Sequence, residues 1–278
     1  MAILNKIIFS SLLLLLTLTP LAYGTVETWS VTLWELWIFL TTLLWGAQAA
    51  IEGRLRIERN SLILLLTGLL LITLLQLAPF PLASVDQAAT RQAAIKLLAF
   101  LLFLLLFTAF VNSVERRRLV INTLIGVTFV IAIIGLGQSY AGKTLWQRGS
   151  FGPFVNRNHF AGFLEMGMGL AAGLLLGRGV QGDRIAIYLT ILITELAALL
   201  VSASRGGTIA FIASALFLFL IARREKEPEN AGRFSGWLRP VMAMALLSGM
   251  LIGAGWLAGT EELLDRFSAI SVEQGNEV

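Results

Sequence analysis

The sequence predicts an all-α, polytopic integral membrane protein, and three observations support this fold class. Hydrophobic residues make up 57% of the 278 positions and charged residues only 14%, whereas an ordinary soluble domain is about 25% charged. Apolar runs of roughly 18 residues or more recur along the chain, which is the length that crosses a hydrocarbon core as a helix. Lysine and arginine also alternate in density from one intervening segment to the next, as cytoplasmic and external loops do.

About nine apolar runs are long enough to be transmembrane helices. In chain order they cover residues 6–23, 31–50, 61–79, 94–111, 119–140, 159–177, 185–203, 207–222 and 237–257. The first run follows Lys6, the sixth begins after the helix-breaking pair Gly152-Pro153, and almost no loop separates the seventh from the eighth. We therefore assign residues 1–257 to one transmembrane domain. The polar, acidic residues 258–278 are predicted to begin a large extracytoplasmic loop, in a chain that is predicted to be truncated.

The distribution of basic residues predicts the orientation of these helices. One set of alternate loops is rich in lysine and arginine: Lys6; Arg54, Arg56 and Arg59; Arg116, Arg117 and Arg118; Arg178 and Arg184; and Arg223, Arg224, Lys226 and Arg233. Because such enrichment marks the cytoplasmic side, the N-terminus is predicted to be cytoplasmic. The loop 141–158 and the turn at residues 204–206 are then extracytoplasmic. The net charge of +4 is explained by cytoplasmic loops, without a nucleic-acid partner.

Four basic residues on the predicted outer side run against this bias and need another explanation. Arg157 and Arg205 are the clearest cases, and Lys143 and Arg148 lie in the same loop as Arg157. An anionic ligand is one explanation, since arginine forms planar bidentate bonds with phosphate oxygens. For Lys143 and Arg148, contact with lipid headgroups explains the charge equally well.

The segment GPFVNRNHFAG, residues 152–162, predicts an anion site at the start of a helix. Gly152-Pro153 interrupts any helix, and either Asn156 or Asn158 can cap the next one. The sixth span then begins at about His159, with its N-terminus facing outward. Free backbone N–H groups, the helix dipole and the Arg157 guanidinium together favour a bound phosphate there.

The spans also contain acids and closely spaced glycines. Glu165 shares a helix face with Asn158 and Gly162, and an acid within a span is costly unless it is paired or faces a wet cavity. Glu165 is therefore either a functional group or the partner of another buried polar group. Glu195 is predicted to pair with a buried arginine. A row of glycines four residues apart predicts close helix packing: Gly169, Gly173 and Gly177.

The segment SASRGG, residues 202–207, joins two long apolar runs with almost no loop. Gly206 and Gly207 are predicted to permit the sharp reversal of the chain. The short turn holds Ser204 and Arg205 at the outer membrane boundary, which favours an Arg205 side chain that contacts a ligand.

The chain offers no support for metal or nucleotide chemistry. It has no cysteine and a single histidine, which excludes thiolate and multi-histidine metal sites, and it has no phosphate-binding loop typical of nucleotide-driven enzymes. His159 has no second histidine and no evident carboxylate partner in the sequence. We therefore interpret His159 as a capping or interfacial residue rather than a catalytic base.

Together these motifs resemble the O-antigen ligase and O-antigen polymerase family. The resemblance lies in GPFVNRNHFAGFLEM (152–166), the glycine-rich span after it, VSASRGGTIAF (201–211), and LLDRFSAIS (263–271), which is similar to the entry to that family's large outer loop. It implies a glycosyltransferase-C-like helical fold that needs no metal or nucleotide cofactor. It also implies transfer of a glycan from an undecaprenyl-diphosphate carrier to a lipid, polysaccharide or protein acceptor at the outer face of the bacterial plasma membrane.

The resemblance carries over to individual residues. It implies that Arg157 and Arg205 hold the carrier diphosphate as catalytic residues. The neighbouring polar side chains are then candidates for contact with the substrate: Asn156, Asn158, His159, Ser204, Arg148 and Glu165. The family's large loop carries a histidine implicated in activating the acceptor. This chain ends before that point and His159 lies in a different motif, so the chain resembles the N-terminal part of a family member.

Two other function classes are compatible with the sequence. The first is a transporter or channel for an anion or small solute, favoured by Glu165, Glu195 and the glycine-rich spans, although no paired broken helices or inverted half-repeats are evident. The second is a non-catalytic subunit of an envelope polysaccharide system, favoured by the missing loop. Membrane lipids are expected partners in every case.

Overall fold

Eight α-helices account for most of the chain in the computed structural model, which describes residues 2–55, 57–58, 60–78, 84–142, 151–177 and 179–224. They are α1 (Ala2–Leu21), α2 (Thr28–Glu52), α3 (Ser61–Gln76), α4 (Gln87–Phe110), α5 (Val114–Ala141), α6 (Arg157–Leu176), α7 (Arg184–Val201) and α8 (Arg205–Arg224). A short 3-10 helix, Tyr23–Thr25, joins α1 to α2. The predicted all-helical fold class is confirmed for these residues.

Several helices begin earlier than the apolar runs predict, because polar caps lie outside the apolar segment. Asp86 caps α4, where its carboxylate accepts a hydrogen bond from the backbone N–H of Ala89 (3.0 Å). At the start of α5 the Ser113 hydroxyl accepts one from the N–H of Arg116 (3.1 Å). Capped polar turns of this kind extend a transmembrane helix into the interface, and hydropathy alone does not detect them.

Six of the described helices are long and apolar enough to cross a membrane: α1, α2, α4, α5, α6 and α7. The 16-residue α3 and the apolar part of α8, Arg205–Leu218, are shorter than the other candidates. At 1.5 Å per residue α3 is about 24 Å long, against a hydrocarbon core of about 30 Å. The predicted ninth span, 237–257, and the tail 258–278 lie outside the described residues.

The outer surfaces of the helices are apolar, as expected for a multi-pass membrane protein. Leu64 on α3 is 75% exposed, and many other leucine and isoleucine side chains are exposed along α2, α3 and α7. A soluble monomer rarely exposes continuous apolar surface on this scale. Lipid chains solvate such a surface well, because they are as apolar as the side chains that they cover.

The described residues fall into two compact units. The first comprises Met1–Val127 with Pro153–Val155. In it α2 packs against α1 and α4, and α3 packs against α4. Its buried core includes Ile8, Leu12, Leu15, Ile38 and Leu106.

Polar contacts tie the helices of the first unit together. The Trp37 indole N–H donates to the Ser11 hydroxyl across α1 and α2 (2.7 Å). At the start of α5 the Arg116 guanidinium donates to the Phe110 carbonyl oxygen (2.7 Å), and it lies 4.7 Å from the centre of the Phe9 ring on α1. Such partly buried bonds fix the helix register where apolar packing alone tolerates small shifts.

The second unit comprises Thr128–Gly152 and Asn156–Val278. Within its described part, α6 packs against both α7 and α8. The buried face of α6 includes Phe160, Leu164, Met168 and Leu175. This unit contains the segment 202–207 and, except for Pro153–Val155, the segment 152–162 that the sequence singled out.

Candidate functional site

Asn156 sets the start of α6. Its backbone is extended (φ −117°, ψ 123°), and its side-chain oxygen accepts a hydrogen bond from the N–H of Asn158 (2.8 Å). Its carbonyl oxygen accepts from the N–H of His159 (3.0 Å) and of Phe160 (3.2 Å). Of the two asparagines that the sequence offered as caps, the structure identifies Asn156, so that α6 begins at Arg157 rather than at His159.

The side chain of Asn158 joins α6 to the start of α8. The Ser204 hydroxyl donates to the Asn158 side-chain oxygen (2.9 Å) and accepts from the N–H of Gly207 (3.1 Å). Ser204 is fully buried, and its carbonyl oxygen accepts from the Thr208 hydroxyl (3.0 Å). Ser204 therefore caps α8 and bonds to the first turn of α6 at the same time. The structure thus brings the two sequence motifs together.

The predicted role of the two glycines in the chain reversal is wrong. Gly206 and Gly207 both lie in the first turn of α8. The reversal occurs before them, where Ala203 adopts a left-handed backbone (φ 52°). A Cβ atom on Gly207 would lie 2.5 Å from the Cβ of Ala161, whereas one on Gly206 would meet no described atom within 4 Å. Gly207 is therefore required for the close approach of α8 to α6.

Arg157 and Arg205 occupy equivalent positions, each as the first residue of its helix. Both are exposed, so each guanidinium is accessible to a ligand. His159 is also exposed. The predicted capping role of His159 is filled by Asn156 instead, and its interfacial role stays a prediction. Arg148, like Lys143, lies outside the described residues.

An aromatic contact that the sequence did not reveal positions the segment before α6. The Phe151 ring packs edge-on against Phe160, with ring centres 4.7 Å apart. A Cβ atom on Gly135 of α5 would lie 2.7 Å from the Phe160 ring. The N–H of Gly152, whose φ is +57°, donates to the side-chain oxygen of Gln138. The signal in the sequence was an isolated amide, Gln138, in an otherwise apolar run.

The two intramembrane acids differ in burial. Glu165 is partly buried on α6. Glu195 on α7 is fully buried, and neither carboxyl oxygen accepts a hydrogen bond of standard geometry. Thr128 of α5 is its polar neighbour. The arginine partner predicted for Glu195 is not found in the described part of the chain, where the ion pair is Arg54–Glu52 (3.7 Å).

The predicted packing role of the glycine row is also wrong for the described residues. No described atom lies within 4 Å of the position that a Cβ would take on Gly169 or Gly173, and on Gly177 it would meet only the Gly173 carbonyl oxygen of the same helix. The close contact occurs at Gly167, where a Cβ would lie 2.6 Å from the Cβ of Thr128. The face of α6 that packs against α5 is thus offset from the one that the glycine spacing indicated.

Two helix N-termini that lie side by side form a basic site. Each contributes the positive end of a helix dipole, and each begins with an arginine. This combination suits a phosphate or diphosphate. The caps already bond to first-turn N–H groups: Asn156 accepts from three N–H groups of α6, and the Ser204 hydroxyl accepts from that of Gly207. Among the described residues there is no group of acids and histidines that could hold a metal ion. No family model, curated protein or solved structure matches this chain.

Proposed function

We propose that this protein is a membrane glycan transferase of the O-antigen ligase and polymerase type. In this proposal it moves a glycan from an undecaprenyl-diphosphate carrier to a lipid, polysaccharide or protein acceptor. The observation that carries the proposal is the 2.9 Å hydrogen bond between Ser204 and Asn158, which joins the arginine-bearing starts of α6 and α8. The finer fold assignment, about nine spans in a glycosyltransferase-C-like arrangement, belongs to the same proposal.

The chemistry proposed at this site is displacement of the carrier diphosphate. An acceptor hydroxyl attacks the anomeric carbon, the bond from that carbon to the diphosphate oxygen breaks, and the electron pair stays on the diphosphate. Arg157, Arg205 and the two helix N-termini stabilise this developing charge, an effect that is strong where water is scarce. The proton of the acceptor hydroxyl passes to a base outside these two motifs. Asn158 and Ser204 are positioning residues, since their mutual bond holds the helix starts together.

The proposed location is the inner membrane of a bacterium, with the N-terminus cytoplasmic and the site on the outer face. The support is the lysine and arginine bias between alternate loops. Binding of a ligand at the outer face would also explain why Arg157 and Arg205 depart from that bias. On this side of the membrane an enzyme meets flipped, lipid-linked glycans rather than nucleotide sugars.

Substitution of the two arginines tests the proposal. Arg205→Ala and Arg157→Ala should each lower the rate of glycan transfer about 100-fold or more, as loss of one transition-state donor does, whereas Arg205→Lys should retain part of it. The assay is transfer from undecaprenyl-diphosphate glycan in proteoliposomes that contain the full protein. Arg184→Ala is a matched control, because Arg184 is also the exposed first residue of a helix, α7, but is predicted to face the cytoplasm.

Binding of undecaprenyl diphosphate should be measured on the same variants. Unchanged binding and transfer in both alanine variants would exclude these arginines from the mechanism. Carrier binding without any transfer would instead indicate the non-catalytic assembly subunit.

A further inference from the structure

A cavity of about 320 Å³ lies in the first unit, and none of its lining residues belongs to the two motifs described above. Its walls come from the loop before α3, from the C-terminal end of α4 with the two residues that follow it, and from the first turn of α5. The lining residues are Glu58, Phe107, Thr108, Val111, Asn112 and Arg117. No step of the proposed glycan transfer uses these residues.

The cavity carries opposite charges on different walls. Glu58 supplies a carboxylate, and the C-terminal end of α4 contributes the negative end of a helix dipole. The Asn112 amide nitrogen donates to the Ala109 carbonyl oxygen (3.2 Å), which leaves its side-chain oxygen as an acceptor. Arg117 supplies a guanidinium near the positive N-terminal end of α5.

These two charged side chains are not neutralised by other described residues. The ion pair of the described residues joins Arg54 to Glu52, so Glu58 and Arg117 are paired neither with each other nor with another described charge. Both are exposed, and both line the cavity. A ligand with one positive and one negative group can pair with both side chains at once. Such charge-assisted hydrogen bonds are stronger than hydrogen bonds between neutral groups.

The position of the cavity indicates a lipid ligand. It lies where the apolar α4 ends and the chain enters the charged segment Arg116–Arg118, which is the level of phospholipid headgroups whichever way the chain is oriented. Phe107 and Val111 form an apolar wall suited to the glycerol end of a lipid. A volume of about 320 Å³ lies at the small end of ligand pockets, about 300–1,000 Å³, and accommodates a headgroup.

We propose that this cavity binds the phosphoethanolamine headgroup of a phospholipid, with the ammonium at Glu58 and Asn112 and the phosphate at Arg117. A primary ammonium has three N–H donors for the carboxylate and the amide oxygen. A choline headgroup has none, and quaternary ammonium groups are instead bound by cages of aromatic rings. Phe107 is the one aromatic residue in this lining, which favours ethanolamine over choline.

The experiment measures lipid retention by the delipidated full protein, using native mass spectrometry with defined lipids added back. Phosphatidylethanolamine should bind about tenfold more tightly than phosphatidylcholine or phosphatidylglycerol. Glu58→Gln should abolish the preference for ethanolamine over glycerol headgroups. Arg117→Gln should weaken binding of all three lipids about equally, because all three carry the phosphate.

Two matched variants control for the general charge of the segment. Glu115→Gln and Arg118→Gln alter exposed neighbours outside the lining and should leave the preference unchanged. Thermal unfolding in detergent verifies that each variant is folded. Equal binding of the three lipids by the native protein, or an unchanged preference in folded Glu58→Gln, would overturn the proposal. Binding of soluble phosphoethanolamine without binding of the lipid would overturn the assignment to a phospholipid.

Discussion

Gly167 is the residue at which α6 leaves no room for a side chain beside α5. A Cβ atom there would lie 2.6 Å from the Cβ of Thr128 and 2.8 Å from its methyl carbon. Gly167→Ala should therefore lower the free energy of unfolding by about 1–3 kcal/mol, as overpacking of a buried contact does. The measurement is equilibrium unfolding of the purified protein in mixed micelles.

Gly169→Ala is the matched control for this prediction. Gly169 lies two residues further along the same helix, and no described atom comes within 4 Å of the position that its Cβ would take. Because alanine favours a helix over glycine by up to about 1 kcal/mol, this change should be neutral or stabilising. Equal losses in the two variants would contradict the prediction, because only position 167 is crowded by Thr128 and helix propensity favours alanine at both positions.

At the scale of the elements, the pairing of α6 with α8 depends on one small residue on each helix. A Cβ on Gly207 would lie 2.5 Å from the Cβ of Ala161, 3.0 Å from the Ser204 hydroxyl oxygen and 3.1 Å from a Leu199 methyl. Gly207→Ala should therefore separate the two helices and lower the free energy of unfolding by about 1–3 kcal/mol. Because Ser204 bonds to Asn158 at the same junction, this variant should also weaken the proposed binding of undecaprenyl diphosphate.

A double-mutant cycle tests whether this contact is the cause. Ala161→Gly removes the opposing Cβ, so the double variant should lose less stability than the sum of the two single changes. The rescue should be partial, since Ser204 and Leu199 also crowd position 207. Gly206→Ala is the control in the same helical turn and should show little effect. Strict additivity of the two single changes would contradict the proposed helix contact.

At the scale of the whole molecule, the helices were predictable because hydrophobic length is a strong and local signal. All eight helices correspond to predicted spans, and the errors lie at their ends, where capping residues such as Asp86 and Ser113 extend the helix beyond the apolar run. The helix α6 starts two residues before the predicted position for the same reason, since Asn156 caps it.

The functions of individual glycines were not predictable, because a glycine in a sequence does not reveal why a side chain is absent. Ala203 rather than Gly206 adopts the left-handed conformation at the turn. Gly167 rather than Gly169 packs against α5. In both cases the outcome depends on which helix face meets a neighbour, and that is set by packing between segments distant in the sequence. The hydrogen bond between Ser204 and Asn158 joins residues 46 positions apart, so local sequence patterns could not predict it either.

The orientation of the chain is directly testable because the protein contains no cysteine. Val155 precedes α6 and Gln181 follows it, and both are exposed. The 20 residues of α6 span about 30 Å, enough to cross the hydrocarbon core. A membrane-impermeant maleimide should therefore label Val155→Cys in intact spheroplasts, and should label Gln181→Cys only after permeabilisation.

Three patterns of labelling have distinct meanings for the candidate site. The expected pattern places Arg157 and Arg205 at the outer face, where the proposed transfer of lipid-linked glycans would take place. The reversed pattern would place the same basic helix starts in the cytoplasm, and the proposed transferase would then lack access to its carrier substrate. Labelling of both positions in intact spheroplasts would mean that α6 does not cross the membrane, which would contradict the topology from which the anion site was inferred.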